Sequence, residues 1–223
     1  MATIPSNISK DWQTELHYLT KYKPNKFYKR VGPLVVGIEL ISAPHTDYYC
    51  LYFAIYALWG NALGRDIKSC MSGPILLRQI SNEIPFSNHD TQMSLIKKYV
   101  LNQISFLQND AINVVDIIST FETYRHEKPL CVSMYSYLQA CVLADEYKCF
   151  LYFDMRDKAE SLLQDISKSP WDNKSFVNVG QTVSGYLNKI QSIMETIDDF
   201  KKEIEGNINT LQIASLKCAN IIK

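Results

Sequence analysis

Three observations predict an α+β fold. Branched and aromatic residues alternate with period two between residues 27 and 59, glycine is absent between Pro74 and Val179, and an apolar repeat of three- and four-residue steps runs from Leu187 to Cys218. The first asks for a small antiparallel sheet near the N-terminus. The other two ask for a mainly helical remainder. The break falls near residue 80, giving an α+β part at 1–80 and a helical part at 81–223 within one continuous folding unit. A chain of 223 residues buries about 70% of its unfolded surface, so the core needs no covalent staple.

Residues 9–22 read as a helix with Trp12, Leu16 and Leu19 on one stripe. FYKRVGPLVVGIELIS, residues 27–42, reads as a strand with Leu34, Val36, Ile38 and Leu40 on one face; Gly32-Pro33 and Gly37 mark a bulge or an edge position. Pro44 and Asp47 supply turn chemistry for a hairpin through Ala43–Asp47. The following stretch, DYYCLYFAIYALW at 47–59, is too short for a membrane span, which takes about 20 apolar residues. As a strand it sets Leu51, Phe53, Ile55, Ala57 and Trp59 on one face and Tyr48, Cys50, Tyr52, Ala54 and Tyr56 on the other. Only the second face carries hydroxyls, so the strand is expected to be central, with core on one side and helices or a tyrosine-lined groove on the other. PILLRQI, residues 74–80, supplies a third strand.

Beyond it, Asp90 or Thr91 can cap a helix whose stripe is Met93, Ile96, Val100, Ile104 and Leu107, and Ala111, Val114, Val115, Ile118 and Phe121 repeat the pattern up to Arg125. Arg156 to Ile166 makes a short amphipathic helix before Ser169-Pro170. The seam at 187–218 reads as a rod of about 50 Å if unbroken. Such a rod needs a partner: helices of the same chain, which the extra apolar residues Ile193, Phe200, Ile213 and Leu216 favour, or a second copy in a homodimer. Gly206-Asn207 also permits a turn that folds it back.

The chemistry-bearing signals are sparse. The 23 basic and 23 acidic residues cancel, leaving no field of one sign to draw nucleic acid or an acidic membrane face. The N-terminus lacks the pattern of a signal peptide and the six cysteines follow no CxxC or CxxH spacing, so a cytoplasmic location with reduced thiols is expected. None of the four histidines stands at a metal-ligand spacing, and no phosphate-cradling glycine motif occurs; no cofactor is expected. An enzyme would have to gather Glu39, His45, Asp47 and Arg65 around the Glu39–Asp47 turn. Cys50 with His45 is a poor nucleophile pair, because they lie on opposite strand faces and an apolar surround raises a thiol's pKa. The alternative is a non-enzymatic module that binds another protein through Tyr48, Tyr52 and Tyr56 together with Lys26, Lys29 and Arg30. Tyrosine brings contact area with few rotors, and the chain carries 14 of them. A deep pocket with converging ionisable groups would mark the enzyme, and a broad exposed aromatic patch the binding module.

Two resemblances bear on this. Leu143, Phe150, Ala159 and Pro170 fall on the large, large, small and terminal-proline positions of a tetratricopeptide-like hairpin over 143–170, with Tyr147 where that motif takes glycine or alanine. Over residues 9–60, the order of a helix, a strand opening FYKR and an aromatic strand ending LWG resembles small bacterial immunity-type proteins. That resemblance implies a protein-binding role in which a toxin surface is covered.

Overall fold

Extended backbone dominates where branched and aromatic residues alternate. The structure, a computed structural model, describes residues 3–59, 74–127, 134–210 and 213–222. They form two compact units, Met1–Asn113 with Ile208–Ile222, and Val114–Asn207.

In the first unit a helix α1 (Ser6–Glu15) precedes β1 (Thr20–Lys23), β2 (Lys26–Val31), β3 (Leu34–Ile41), β4 (Tyr48–Ala57), β5 (Leu76–Gln79), β6 (Ile84–Pro85), α2 (His89–Gln103) and β7 (Ala111–Asn113), and β8 (Lys217–Ile222) ends it. The mixed sheet runs β5-β4-β3-β2-β8-β7, with β1 on β2 and β6 on β4. The sheet expected near the N-terminus and the helices expected after it are both present, so the fold is α+β.

The expected 47–59 strand is β4, paired along its length with β3 from Leu34↔Ala57 to Ile41↔Cys50 and with β5 at Leu76–Gln79. The 27–42 segment is a hairpin rather than one strand. Val31 pairs with Leu34, and Gly32 takes φ +56°, the first central position at which a two-residue II′ turn requires glycine. Gly37 serves close packing instead. A Cβ there would meet the Phe27 carbonyl oxygen at 1.9 Å and Tyr28 Cδ1 at 2.8 Å, so its bareness lets the Tyr28 ring lie across the sheet. The helix expected at 9–22 stops at Glu15, and Thr20–Lys23 turns back on β2 through Asn25 at φ +64°.

Alternation sorts the sheet into two faces. Phe27, Val31, Leu34, Val36, Ile38, Leu51, Phe53 and Ile55 share one, all buried, as are Trp12 of α1, Leu16 at its C-cap and Leu107 after α2. Phe106 meets Phe53 edge-on at 6.2 Å. Lys29 belongs to this face as well: its ammonium donates to the carbonyls of Leu107 and Asn109, each at 3.0 Å, and burial pulls its pKa down.

The second unit is helical: α3 (Val114–Arg125), α4 (Tyr137–Tyr152), α5 (Arg156–Lys168), α6 (Asn173–Val177), α7 (Val183–Glu195) and α8 (Ile197–Thr210), whose last residues pass into the first unit. Residues 111–113, expected to open a helix, form β7 instead, drawn out by parallel pairing with β8. Helices α4 and α5 pack as the hairpin read from 143–170, reversing through Asp154 at φ +59°. Ser136, Asp172 and Thr182 accept backbone N–H groups at the starts of α4, α6 and α7. Phe176 is fully buried among the rings of Tyr137, Trp171 and Tyr186.

The 187–218 rod is not formed. α7 stops at Glu195 with Thr196 as its C-cap, the Thr196 hydroxyl donating to the Ser192 carbonyl at 3.1 Å, and Asp198 and Asp199 lie in the first turn of α8, where acids complement the helix dipole. The seam closes with β8, parallel to β2 and β7. Ile190 and Ile204 are buried within the chain. Gly206-Asn207 continues α8 rather than turning it.

Candidate functional site

The second sheet face carries the residues expected to meet a partner. Tyr28 and Lys26 of β2, Glu39 of β3, and Tyr52 and Tyr56 of β4 share it by register. Glu39 is only 5% exposed. It accepts hydrogen bonds from the Tyr56 hydroxyl at 2.5 Å, from the Tyr28 hydroxyl and from the Lys26 ammonium. Burial alone would push this carboxyl up, but the three donors outweigh it and hold the pKa below the ordinary value. The Tyr28 hydroxyl is driven the other way, by burial first and the Glu39 charge second. The group is a saturated structural clamp.

That placement corrects part of the expected partner surface. Tyr56 is 2% and Lys29 1% exposed, and both have their polar atoms committed inside the fold, so neither is offered to a partner. Lys26 is tied to Glu39. Tyr48, Tyr52 and Arg30 stay partly exposed; Tyr52 donates to Gln79 Oε1 at 3.1 Å and Arg30 to the Gly32 carbonyl at 3.4 Å. Nor does the Glu39–Asp47 turn assemble a catalytic set. His45 and Asp47 are exposed on the turn while Glu39 is enclosed by its own donors, and Arg65 lies outside the described residues. The Cys50 thiol is pushed up by burial and by Glu83, the opposite of nucleophile activation.

A second polar chain ties α1, β4 and α2 together. Trp12 Nε1 donates to the Tyr49 hydroxyl at 2.9 Å, Tyr49 lies 2.8 Å from His89 Nδ1, and His89 Nε2 lies 3.1 Å from Asp11 Oδ2. Because an indole only donates, the Tyr49 oxygen accepts from Trp12, while both imidazole nitrogens of His89 are engaged, one by Tyr49 and the other by Asp11. Asp11, His89 and Asp90 place one ligand atom each within 4.8 Å of one another, a grouping that spacing along the sequence does not reveal. Asp11 and Asp90 are exposed and both ring nitrogens of His89 already have protein partners, so the chain reads as a structural clamp.

The exposed feature of this unit lies on α2. Val100 faces the core, while Leu95 is 73% and Tyr99 62% exposed, one turn apart on the outer side. With Gln92, Ile96 and the 81–84 segment they line a groove of about 330 Å³. Its other wall is fixed by the Leu51 N–H to Ser81 Oγ bond at 2.8 Å and the Gln103 amide to Ile80 carbonyl bond at 3.0 Å. Glu83, at the rim, raises the pKa of the nearby Tyr48 hydroxyl. Sequence reasoning finds the inner stripe of α2 and misses the outer one; Leu95 and Tyr99, four apart among polar residues, are its signal. Among the described residues no helix is long and apolar enough to cross a membrane. No family model, no curated protein and no solved structure matches the chain.

Proposed function

We propose that this chain is a non-enzymatic protein-binding module that seats an apolar anchor residue of its partner in the α2 groove. The observation carrying the reading is the pair Leu95 and Tyr99, large apolar side chains left in water beside a concave apolar floor; single exposed apolar residues are common, but a pair bordering a groove marks an interaction surface. Tyr48 adds a partly exposed aromatic at the rim. The order of parts over residues 9–60, similar to immunity-type proteins, supports a toxin as the partner, neutralised by being covered. The chemistry of the Glu39–Asp47 region supports binding over catalysis, since its one buried acid is fully engaged.

The test places a photo-crosslinking residue at Tyr99 and, as control, at Lys202, an exposed helix position. Crosslinking in native lysate should yield one discrete adduct from position 99 that Leu95→Asp removes. Equal adducts from both positions, or turnover of a metabolite that depends on His45 or Asp47, would overturn the reading.

A further inference from the structure

Helix α2 is a ridge between two unlike hollows. At about 3.6 residues per turn, Gln92, Ile96 and Tyr99 fall to one side of Leu95, and Ser94, Lys98 and Leu101 to the other. The first side borders the apolar groove, and Glu83 is the one charged side chain among the described residues that line it. The second side borders a polar hollow of about 530 Å³ that Lys97 and Lys98 share with Glu15. Lys97 is ion-paired with Glu15. Among the described residues neither Lys98 nor Glu83, both exposed, has such a partner. A carboxylate, an apolar ridge topped by Leu95 and Tyr99, and an ammonium therefore follow one another across this face.

That order is its own complement. A two-fold axis standing on the ridge between Leu95 and Tyr99 carries the carboxylate flank of one copy onto the ammonium flank of another, the self-matching that an isologous interface requires. Leu95 then meets Tyr99 of the second copy, and Glu83 faces its Lys98, once on each side of the axis. A phosphate or an anionic lipid would be repelled by Glu83 at the groove. A second copy satisfies both signs at once.

We infer that the α2 face is the contact surface of a homodimer, in which each copy lays its Leu95–Tyr99 ridge over the groove of the other and closes it. The inference rests on the groove being a docking surface, and it adds regulation to that surface: a foreign partner has to displace the second copy to reach the groove floor. Two large apolar side chains per copy make a small contact, of the kind that exchanges rather than locks.

Sedimentation equilibrium on the purified full chain, in reductant, tests this. The wild type should pass from monomer to dimer as concentration rises through the micromolar range. Glu83→Lys and Lys98→Glu each set like charges face to face at both rims and should weaken association by about tenfold or more. An equimolar mixture of the two variants should recover it, because both rims of the mixed dimer then pair opposite charges. Unchanged thermal melts are expected, since both positions are exposed. A wild type that stays monomeric, single variants that associate like wild type, or a mixture no tighter than its components overturns the inference. Its failure is distinct from that of the binding role. A monomer whose position 99 still captures one discrete partner in lysate loses only the dimer, and a dimer whose position 99 captures nothing but the second copy loses only the foreign partner.

Discussion

Replacing Glu146 by glutamine should stabilise the protein at alkaline pH. The carboxyl is lifted from 4.5 to about 7, chiefly by burial. Each pKa unit is about 1.4 kcal/mol, so ionising Glu146 in the folded state costs about 3 kcal/mol more than ionising it in the unfolded chain. Because the folded pKa lies above the unfolded one, the native state loses nothing below about pH 4.5, loses stability as pH climbs from there to about 7, and carries the full cost above it. Glutamine keeps the shape of the protonated acid and cannot ionise. The difference in unfolding free energy between Glu146→Gln and wild type, read from urea melts, should be near zero at pH 4.5 and reach up to about 3 kcal/mol in favour of the variant at pH 8. Other acids contribute equally to both proteins and cancel in the difference. A variant no more stable than wild type at pH 8 would refute the reasoning, since it would mean that the carboxylate is well solvated or well bonded.

Three further outcomes follow from the first unit. Tyr56→Phe removes one of the three donors to Glu39, a bond to a charged group of about 1.5–3 kcal/mol. That loss should be seen at pH 7 and fade at acid pH, because Glu39, with its pKa depressed in the fold, contributes stability above its unfolded pKa that disappears as pH falls through the folded one. Gly37→Ala drives a Cβ to 1.9 Å from the Phe27 carbonyl oxygen, backbone that cannot move without breaking the β2–β3 hairpin, and should cost about 3 kcal/mol or more, measured as a fall in melting temperature. Trp12→Phe deletes the donor to Tyr49 and should cost at least about 1 kcal/mol, with a change in the near-ultraviolet signal of Tyr49.

What can be read from the sequence is what depends on neighbours in the chain. The β4 strand, the β3–β4 hairpin, β5, the inner stripe of α2 and the amphipathic α5 follow from period and turn chemistry. The misreadings share a cause. Residues 111–113 and 217–222 have no strand signal of their own beyond a few branched residues; they are extended because each pairs with the other, and β8 with β2 as well, a fact located about a hundred residues away. Residues 27–42 hide a turn because Gly32-Pro33 suits a bulge as well as a corner, and only the positive φ of Gly32 makes it a hairpin corner. The seam at 187–218 keeps its period through Thr196, so the stop of α7 at Glu195 leaves no mark in the apolar spacing. For the sites, Lys29 and Tyr56 look like surface residues by type, and only the register shows that carbonyls and a carboxylate claim them. Glu146 is buried by helix packing that no local pattern encodes.

The closing strand makes the sharpest case for long-range control. β8 inserts between β2 and β7, parallel to both, and the residues leading into it, Ile213 and Leu216, are 0% and 4% exposed. The Lys217 N–H also reaches Thr20 Oγ1 at 2.8 Å. Cutting the chain after residue 210 removes two buried side chains worth about 1.5–3 kcal/mol each, opens one edge of β2, and takes from β7 the strand that holds it in the sheet. The sum approaches the whole stability of a typical domain, about 5–15 kcal/mol. Amide hydrogens of β2 and β3 in the truncated chain should therefore exchange orders of magnitude faster than in the full chain, whereas Ile213→Ala alone, at about 2–5 kcal/mol, should speed them less. Undiminished protection in the truncated chain would mean that β1 to β5 form a self-sufficient sheet, and that β8 is an addition to the fold and not its keystone. If protection is lost, the sheet cannot be completed until residues 213–222 have emerged, and the helical unit, lying before them in the chain, is free to fold first.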